Sequence, residues 1–125
     1  TNFDSSIAGI KSLKDNQILI AGGIIKNGDP TEWAQTISEK CNGVFIYGRS
    51  AEELKFILNK YCYKRDIFIY EKLEELIPQA LNYLKKTKTK ILLFSPSCSS
   101  FDQFKNFEER GDYFKLLTNK YFQLI

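Results

Sequence analysis

The sequence has no histidine, no methionine and only three cysteines among its 125 residues. Without histidine, neither a Ser-His-Asp nor a Cys-His relay can be assembled within the chain, and no zinc site is expected. Any chemistry must use lysine, carboxylates, hydroxyls or backbone amides. Cys41, Cys62 and Cys98 are odd in number and follow no framework spacing. Structural disulfides are therefore not expected, and a reducing cytosol fits. Long apolar runs are also missing, and none approaches the roughly 20 residues that cross a bilayer. The first residues lack the basic segment and apolar block of a signal peptide. A chain that opens on Thr1 and contains no Met reads as a piece cut from a longer protein.

Charge of one sign is scarce as well. Eighteen basic against 15 acidic residues leave a net charge of +3, too small an excess to argue nucleic-acid binding. The densest basic stretch is Lys85, Lys86, Lys88 and Lys90. It falls where a helix should end, and cations there counter the negative end of the helix dipole. A solvated helix end is the expectation, with a phosphate or nucleic-acid patch as the alternative.

What the chain does have is 43% hydrophobic and 14% aromatic residues, the composition of one folded domain with a real core. Short apolar runs at 17–21, 44–47, Asp66–Tyr70 and Ile91–Phe94 do not alternate polar with apolar, as strands buried on both faces read. Helical periods lie between them. Asp29 can cap a helix with Pro30 at its first position, which places Trp33, Ile37 and Cys41 on one face. Ser50-Ala51-Glu52-Glu53 fits a capping box ahead of Leu54, Ile57, Leu58 and Tyr61. Leu73, Leu76, Ile77, Ala80, Leu81 and Leu84 form a further stripe. Pro78 within it predicts a late start or a bend. A last helix is predicted at 107–121, with Phe114, Leu117 and Tyr121 as its stripe. The first dozen residues can form another, with Ile7, Ile10 and Leu13 inward. Alternating strands and helices predict a Rossmann-like, doubly wound α/β domain, its mostly parallel sheet covered by helices on both faces.

Such folds bind ligands outside the carboxyl ends of the strands, which directs attention to two loops. After the first strand comes Ala21-Gly22-Gly23-Ile24-Ile25-Lys26. Paired glycines allow a tight turn with exposed amides, and Lys26 adds a cation suited to a carboxylate or phosphate. The plainer reading is a turn with an exposed lysine. The spacing matches neither a P-loop nor Gly-x-Gly-x-x-Gly. After the fourth strand comes Ser95-Pro96-Ser97-Cys98-Ser99-Ser100, then Phe101-Asp102-Gln103-Phe104-Lys105-Asn106-Phe107-Glu108-Glu109-Arg110-Gly111. Its hydroxyls, with the free amides of a helix beginning near Phe107, can cradle a carboxylate. The plainer reading is a loop and helix cap, with Cys98 a small buried residue and not a nucleophile.

The run from Ser95 through Gly111 resembles the C-terminal domain of the MurD-type ligases, the D-glutamate-adding branch of the Mur ligase family. Ile18-Leu19-Ile20-Ala21-Gly22-Gly23 followed by Lys26 is similar to the same family, as is the start Thr1-Asn2-Phe3. The likeness covers essentially the whole chain. It implies one domain, 1–125, of a longer three-domain protein of the bacterial cytoplasm. It implies an activity for the complete protein, with the piece alone inactive. ATP phosphorylates the carboxylate of UDP-N-acetylmuramoyl-L-alanine, and the amine of D-glutamate attacks the acyl phosphate. This step supplies peptidoglycan precursor for cell shape and division. By position, Thr1 and Lys26 would meet one carboxylate of D-glutamate. Ser100, with backbone amides near Phe101 and Phe107, would meet the other. ATP and magnesium would sit mainly on the central domain, so none is expected in this chain. The partners implied are the N-terminal and central domains and the two substrates, with no nucleic acid and no membrane. Two features depart from the family pattern. Ile25 stands where an Asp is common, and Ser97 and Ser99 flank Cys98 where alanines are common. A different reading of the residues is a stand-alone α/β module for a small anion or nucleotide.

Overall fold

The computed structural model describes residues 2–23 and 28–95. Eight elements follow one another: α1 (Asn2–Lys11), β1 (Gln17–Gly22), α2 (Thr31–Lys40), β2 (Cys41–Tyr47), α3 (Ala51–Lys60), β3 (Asp66–Tyr70), α4 (Leu73–Lys86) and β4 (Ile91–Phe94). The strands form one parallel sheet in the order β3-β2-β1-β4. The predicted doubly wound α/β architecture is therefore present.

The order explains how the helices are distributed. From β1 to β2 to β3 the chain steps one way across the sheet. It then returns over two strands to place β4 on the far side of β1. Right-handed crossovers in opposite directions must lie on opposite faces. Trp33 and Ile37 of α2, Leu54 and Leu58 of α3, and Phe3, Ile7 and Ile10 of α1 accordingly join Leu19, Ala21, Val44 and Ile46 in one core. Leu73, Leu76, Ile77, Ala80 and Leu81 of α4 join Ile18, Ile20, Phe45 and Tyr47 in the other. Each fully buried Ile or Leu side chain contributes about 1.5–3 kcal/mol. β1, with all six residues buried, contributes to both cores, as does β2.

Local predictions hold with corrections. β3 and β4 have the expected bounds, whereas β2 begins at Cys41 and not at 44. Cys41 is buried as expected, but it opens the strand and does not lie on the helix, because α2 ends at Lys40 with no intervening loop. Pro30 occupies the N-cap of α2, one place earlier than expected. The Asp29 carboxylate instead accepts the Thr31 backbone N–H (3.0 Å) and hydroxyl (2.7 Å). The capping box at Ser50 does not form, since no side-chain bond caps α3. α4 starts at Leu73 and runs through Pro78, so it does not start late. Leu13 lies beyond the end of α1 and is only half-buried. The predicted helix at 107–121 lies outside the described residues.

Candidate functional site at the carboxyl ends of β1 and β4

β1 and β4 are neighbours although two strands and three helices separate them in sequence. Their register pairs Ile20 with Phe94, and the Ser95 N–H donates to the Ile20 carbonyl at 3.0 Å. β4 ends level with Ile20, two residues before β1 ends at Gly22. This is the point where the winding reverses, because β1 is followed by a step toward β2 while β4 lies on its other side. Parallel strands that part in this way leave a crevice between the loops that follow them.

The glycines after β1 are fixed there by backbone contacts. Gly22 has φ +157°, and a Cβ on it would stand 2.3 Å from the Tyr47 carbonyl oxygen and 2.6 Å from that tyrosine's ring. No side chain can be admitted without moving β2. Gly23, with φ +107°, donates its N–H to Tyr47 O at 3.2 Å and accepts from the Ser50 N–H at 3.0 Å. The turn after β1 is thereby held to the end of β2 and the start of α3. Tyr47 itself is fully buried, and its ring lies 6.5 Å from that of Phe94. Tyr47 thus links β2 to β4 across the end of β1.

The start of α1 approaches the same place. The Ser6 hydroxyl accepts from the Trp33 indole N–H at 3.2 Å and donates to the Ser95 carbonyl at 3.4 Å. A Cβ on Gly9 would lie 3.7 Å from Ser95 Oγ, and one on Gly28 would lie 3.1 Å from the Phe3 ring. Thus α1 meets both Gly28, beyond the turn after β1, and Ser95, the first residue after β4. Ser6 was not singled out from the sequence. Its signal was there: a lone polar residue in a stripe with Phe3, Ile7 and Ile10, at helical spacing.

Thr1, Lys26, Ser100, Phe101 and Phe107, the residues expected to hold a ligand, lie outside the described residues, as do Ile25 and Cys98. Of their described neighbours, Phe3 lies beside Gly28, Ser95 is bonded by Ser6 of α1, and Gly23 is held to Tyr47 and Ser50. Cys41 offers no nucleophile, because burial pushes its thiol up to about 12 against a weaker opposing effect of Lys40. Among the described residues no group of three or more Cys, Asp or Glu could hold a metal ion. Lys85, Lys86, Lys88 and Lys90 are all exposed at and beyond the end of α4, as a solvated helix end requires. Among the described residues no helix is long and apolar enough to cross a membrane.

No family model matches the chain. Curated proteins do. The chain is 48% identical over 124 residues to UDP-N-acetylmuramoylalanine–D-glutamate ligase of Prochlorococcus marinus (strain MIT 9515), a stretch covering 99% of this chain and 26% of that protein. Proteins of the same name from Caldanaerobacter subterraneus subsp. tengcongensis and Gloeobacter violaceus are 40% and 38% identical over 92% and 94% of the chain. The chain spans about a quarter of the length of these relatives: 26%, 25% and 26%. The likeness to MurD-type ligases read from its motifs is borne out across nearly its full length.

Proposed function

We propose that this chain is the D-glutamate-holding domain of an ATP-dependent UDP-N-acetylmuramoyl-L-alanine–D-glutamate ligase, acting in the bacterial cytoplasm on a peptidoglycan precursor. The observation that carries the reading is the junction of β1 and β4. Their carboxyl ends are adjacent, and the chain leaves them into the two segments that resemble the D-glutamate ligases. The curated relatives, matched over about a quarter of their length, are named UDP-N-acetylmuramoylalanine–D-glutamate ligases.

D-Glutamate has two carboxylates and one reacting amine. Lys26 and Thr1 take one carboxylate, and Ser100 with the amides beside Phe101 and Phe107 takes the other. Two anchored ends fix the length of the amino acid and direct its amine. Chirality follows, because the enantiomer held by the same two ends turns its amine elsewhere. The amine attacks the acyl phosphate of the muramoyl-alanine substrate, the amide C–N bond forms, and inorganic phosphate leaves. The domain contributes positioning, which converts an encounter into an intramolecular step and lowers the barrier by several kcal/mol. The described residues do not suit ATP or magnesium, since β1 runs into Gly22-Gly23 and not a P-loop, and no carboxylate cluster is present among them. Those groups belong on the remaining three-quarters of the complete protein, with the second substrate.

Exchange of Lys26 for alanine in the complete ligase tests the proposal. It removes a charge-assisted bond worth roughly 1.5–3 kcal/mol, a rise of about tenfold to a hundredfold in the KM for D-glutamate. An unchanged KM removes Lys26 from the site. Calorimetric titration of the 125-residue chain separates the self-sufficient module from the ligase domain, because tight binding of ATP by the chain alone favours the module.

A further inference from the structure

Ser6 is fully buried on the face of α1 that also carries Phe3, Ile7 and Ile10. A hydroxyl in such a place costs stability unless it is hydrogen-bonded, and this one is bonded on both sides. The Trp33 indole N–H, buried as well, donates to its oxygen at 3.2 Å. The hydroxyl proton is thereby left for a second partner. That partner is the Ser95 carbonyl at 3.4 Å, 89 positions along the chain. The Phe3 ring packs on Trp33 at 5.1 Å, so α1 and α2 together hold the hydroxyl in place. The two backbone groups of Ser95 have different anchors. Its N–H is tied to the sheet through the Ile20 carbonyl at 3.0 Å. Its carbonyl belongs to the next peptide plane, which joins it to Pro96. Proline brings no N–H, so that plane has a single hydrogen-bonding group, and Ser6 holds it. Gly9, one turn on from Ser6, lets Ser95 lie close to α1, since a Cβ there would stand 3.7 Å from Ser95 Oγ.

We propose that Ser6 is a positioning residue for D-glutamate. By holding the Ser95 carbonyl, it sets the direction in which the chain leaves β4 toward Ser100, and so places the anchor of the second carboxylate. This rests on the reading that Ser100 holds that carboxylate. A role confined to Trp33 would need only an acceptor for the indole, and would send no hydroxyl proton to the end of β4. Ser6 touches no substrate; it acts through Ser95. A small error in the direction of one peptide plane grows along the residues that follow it, and a misplaced anchor weakens the grip on the amino acid.

Steady-state kinetics of the complete ligase test this with two exchanges at Ser6. Ser6→Ala removes the donor and also leaves the buried indole N–H without its acceptor, which lowers stability. Ser6→Cys keeps the volume and a sulfur to accept from the indole, but its thiol donates only weakly. Circular dichroism at the assay temperature confirms that the variants are folded. Each should raise the KM for D-glutamate by about fivefold to tenfold and leave the KM for ATP unaltered. A purely structural loss would not divide the two substrates in this way. The effect of Ser6→Cys should shrink when Ser100→Ala is already present, and persist in full beside Lys26→Ala. An unchanged KM for D-glutamate, an equal rise in the KM for ATP, or the same effect on both backgrounds overturns the proposal. The underlying reading has its own control. If Ser100→Ala alone leaves the KM for D-glutamate unchanged, the carboxylate assignment falls and this proposal with it. If Ser100→Ala raises the KM while Ser6→Cys does not, the role of Ser6 alone is refuted.

Discussion

The two ends of the sheet are secured by different means. At the amino end, side chains tie the loops to one another. Asn16 donates to Asn42 at 3.2 Å, Asn42 donates to Thr89 at 3.2 Å, and Thr89 shares a proton with Thr87 at 2.7 Å. The Lys40 ammonium adds a bond to the Lys14 carbonyl at 2.7 Å. At the carboxyl end the ties are largely backbone: Gly23 N–H to Tyr47 O, Ser50 N–H to Gly23 O, and Ser95 N–H to Ile20 O. An end closed by side chains has used the groups a ligand would need. At the carboxyl end the main chain makes these ties, with glycine where β1 leaves the sheet.

Gly22→Ala should have the largest effect. Its Cβ meets a backbone carbonyl that cannot swing aside, so overpacking adds to the cost of a positive φ. A loss of about 3–5 kcal/mol is expected in denaturant unfolding. A loss below about 1 kcal/mol would mean that β2 is free to shift. Asn42→Ala removes both hydrogen bonds of its side-chain amide, to Asn16 and Thr89, and should cost about 1 kcal/mol. In the complete ligase it should leave the KM for D-glutamate unaltered. The smallest perturbation is chemical. Cys41 is buried with its thiol raised to about 12, whereas Cys62 is exposed. A thiol reagent at neutral pH should label Cys62 quickly and Cys41 only after unfolding, as peptide mapping by mass spectrometry would show. Prompt labelling of Cys41 would mean that the junction of α2 and β2 opens readily.

Much of this was legible because local signals agreed. β3 and β4 are short apolar runs between charged or turn residues, and their bounds matched. β2 was read too short because Cys41 was placed on the helix before it, at helical spacing from Trp33 and Ile37. In the fold, Gly43 is a strand residue whose missing Cβ admits the Tyr83 ring, since a Cβ would lie 2.7 Å from it. A contact across 40 positions leaves no local trace. Pro78 forfeits one helical hydrogen bond, yet Ile77, Ala80 and Leu81 bury enough surface to carry α4 through it. The capping box at Ser50 failed because the turn is set by its backbone bond to Gly23, again a distant partner. Strand order was the other unreadable element, since β1–β4 pairing depends on long-range packing. For the site, the sequence singled out the loops after β1 and β4, and the fold shows why those two strands are neighbours. The five residues proposed to hold the ligand lie outside the described part of the chain.

The central claim is that D-glutamate is held at the carboxyl end and not at the amino end. The most direct measurement compares the KM for D-glutamate of the complete ligase with Lys26→Ala and with Lys88→Ala, a lysine exposed at the amino end. The account predicts a rise of about tenfold to a hundredfold for Lys26 and no change for Lys88. Equal effects from the two, or an effect from Lys88 alone, would contradict it.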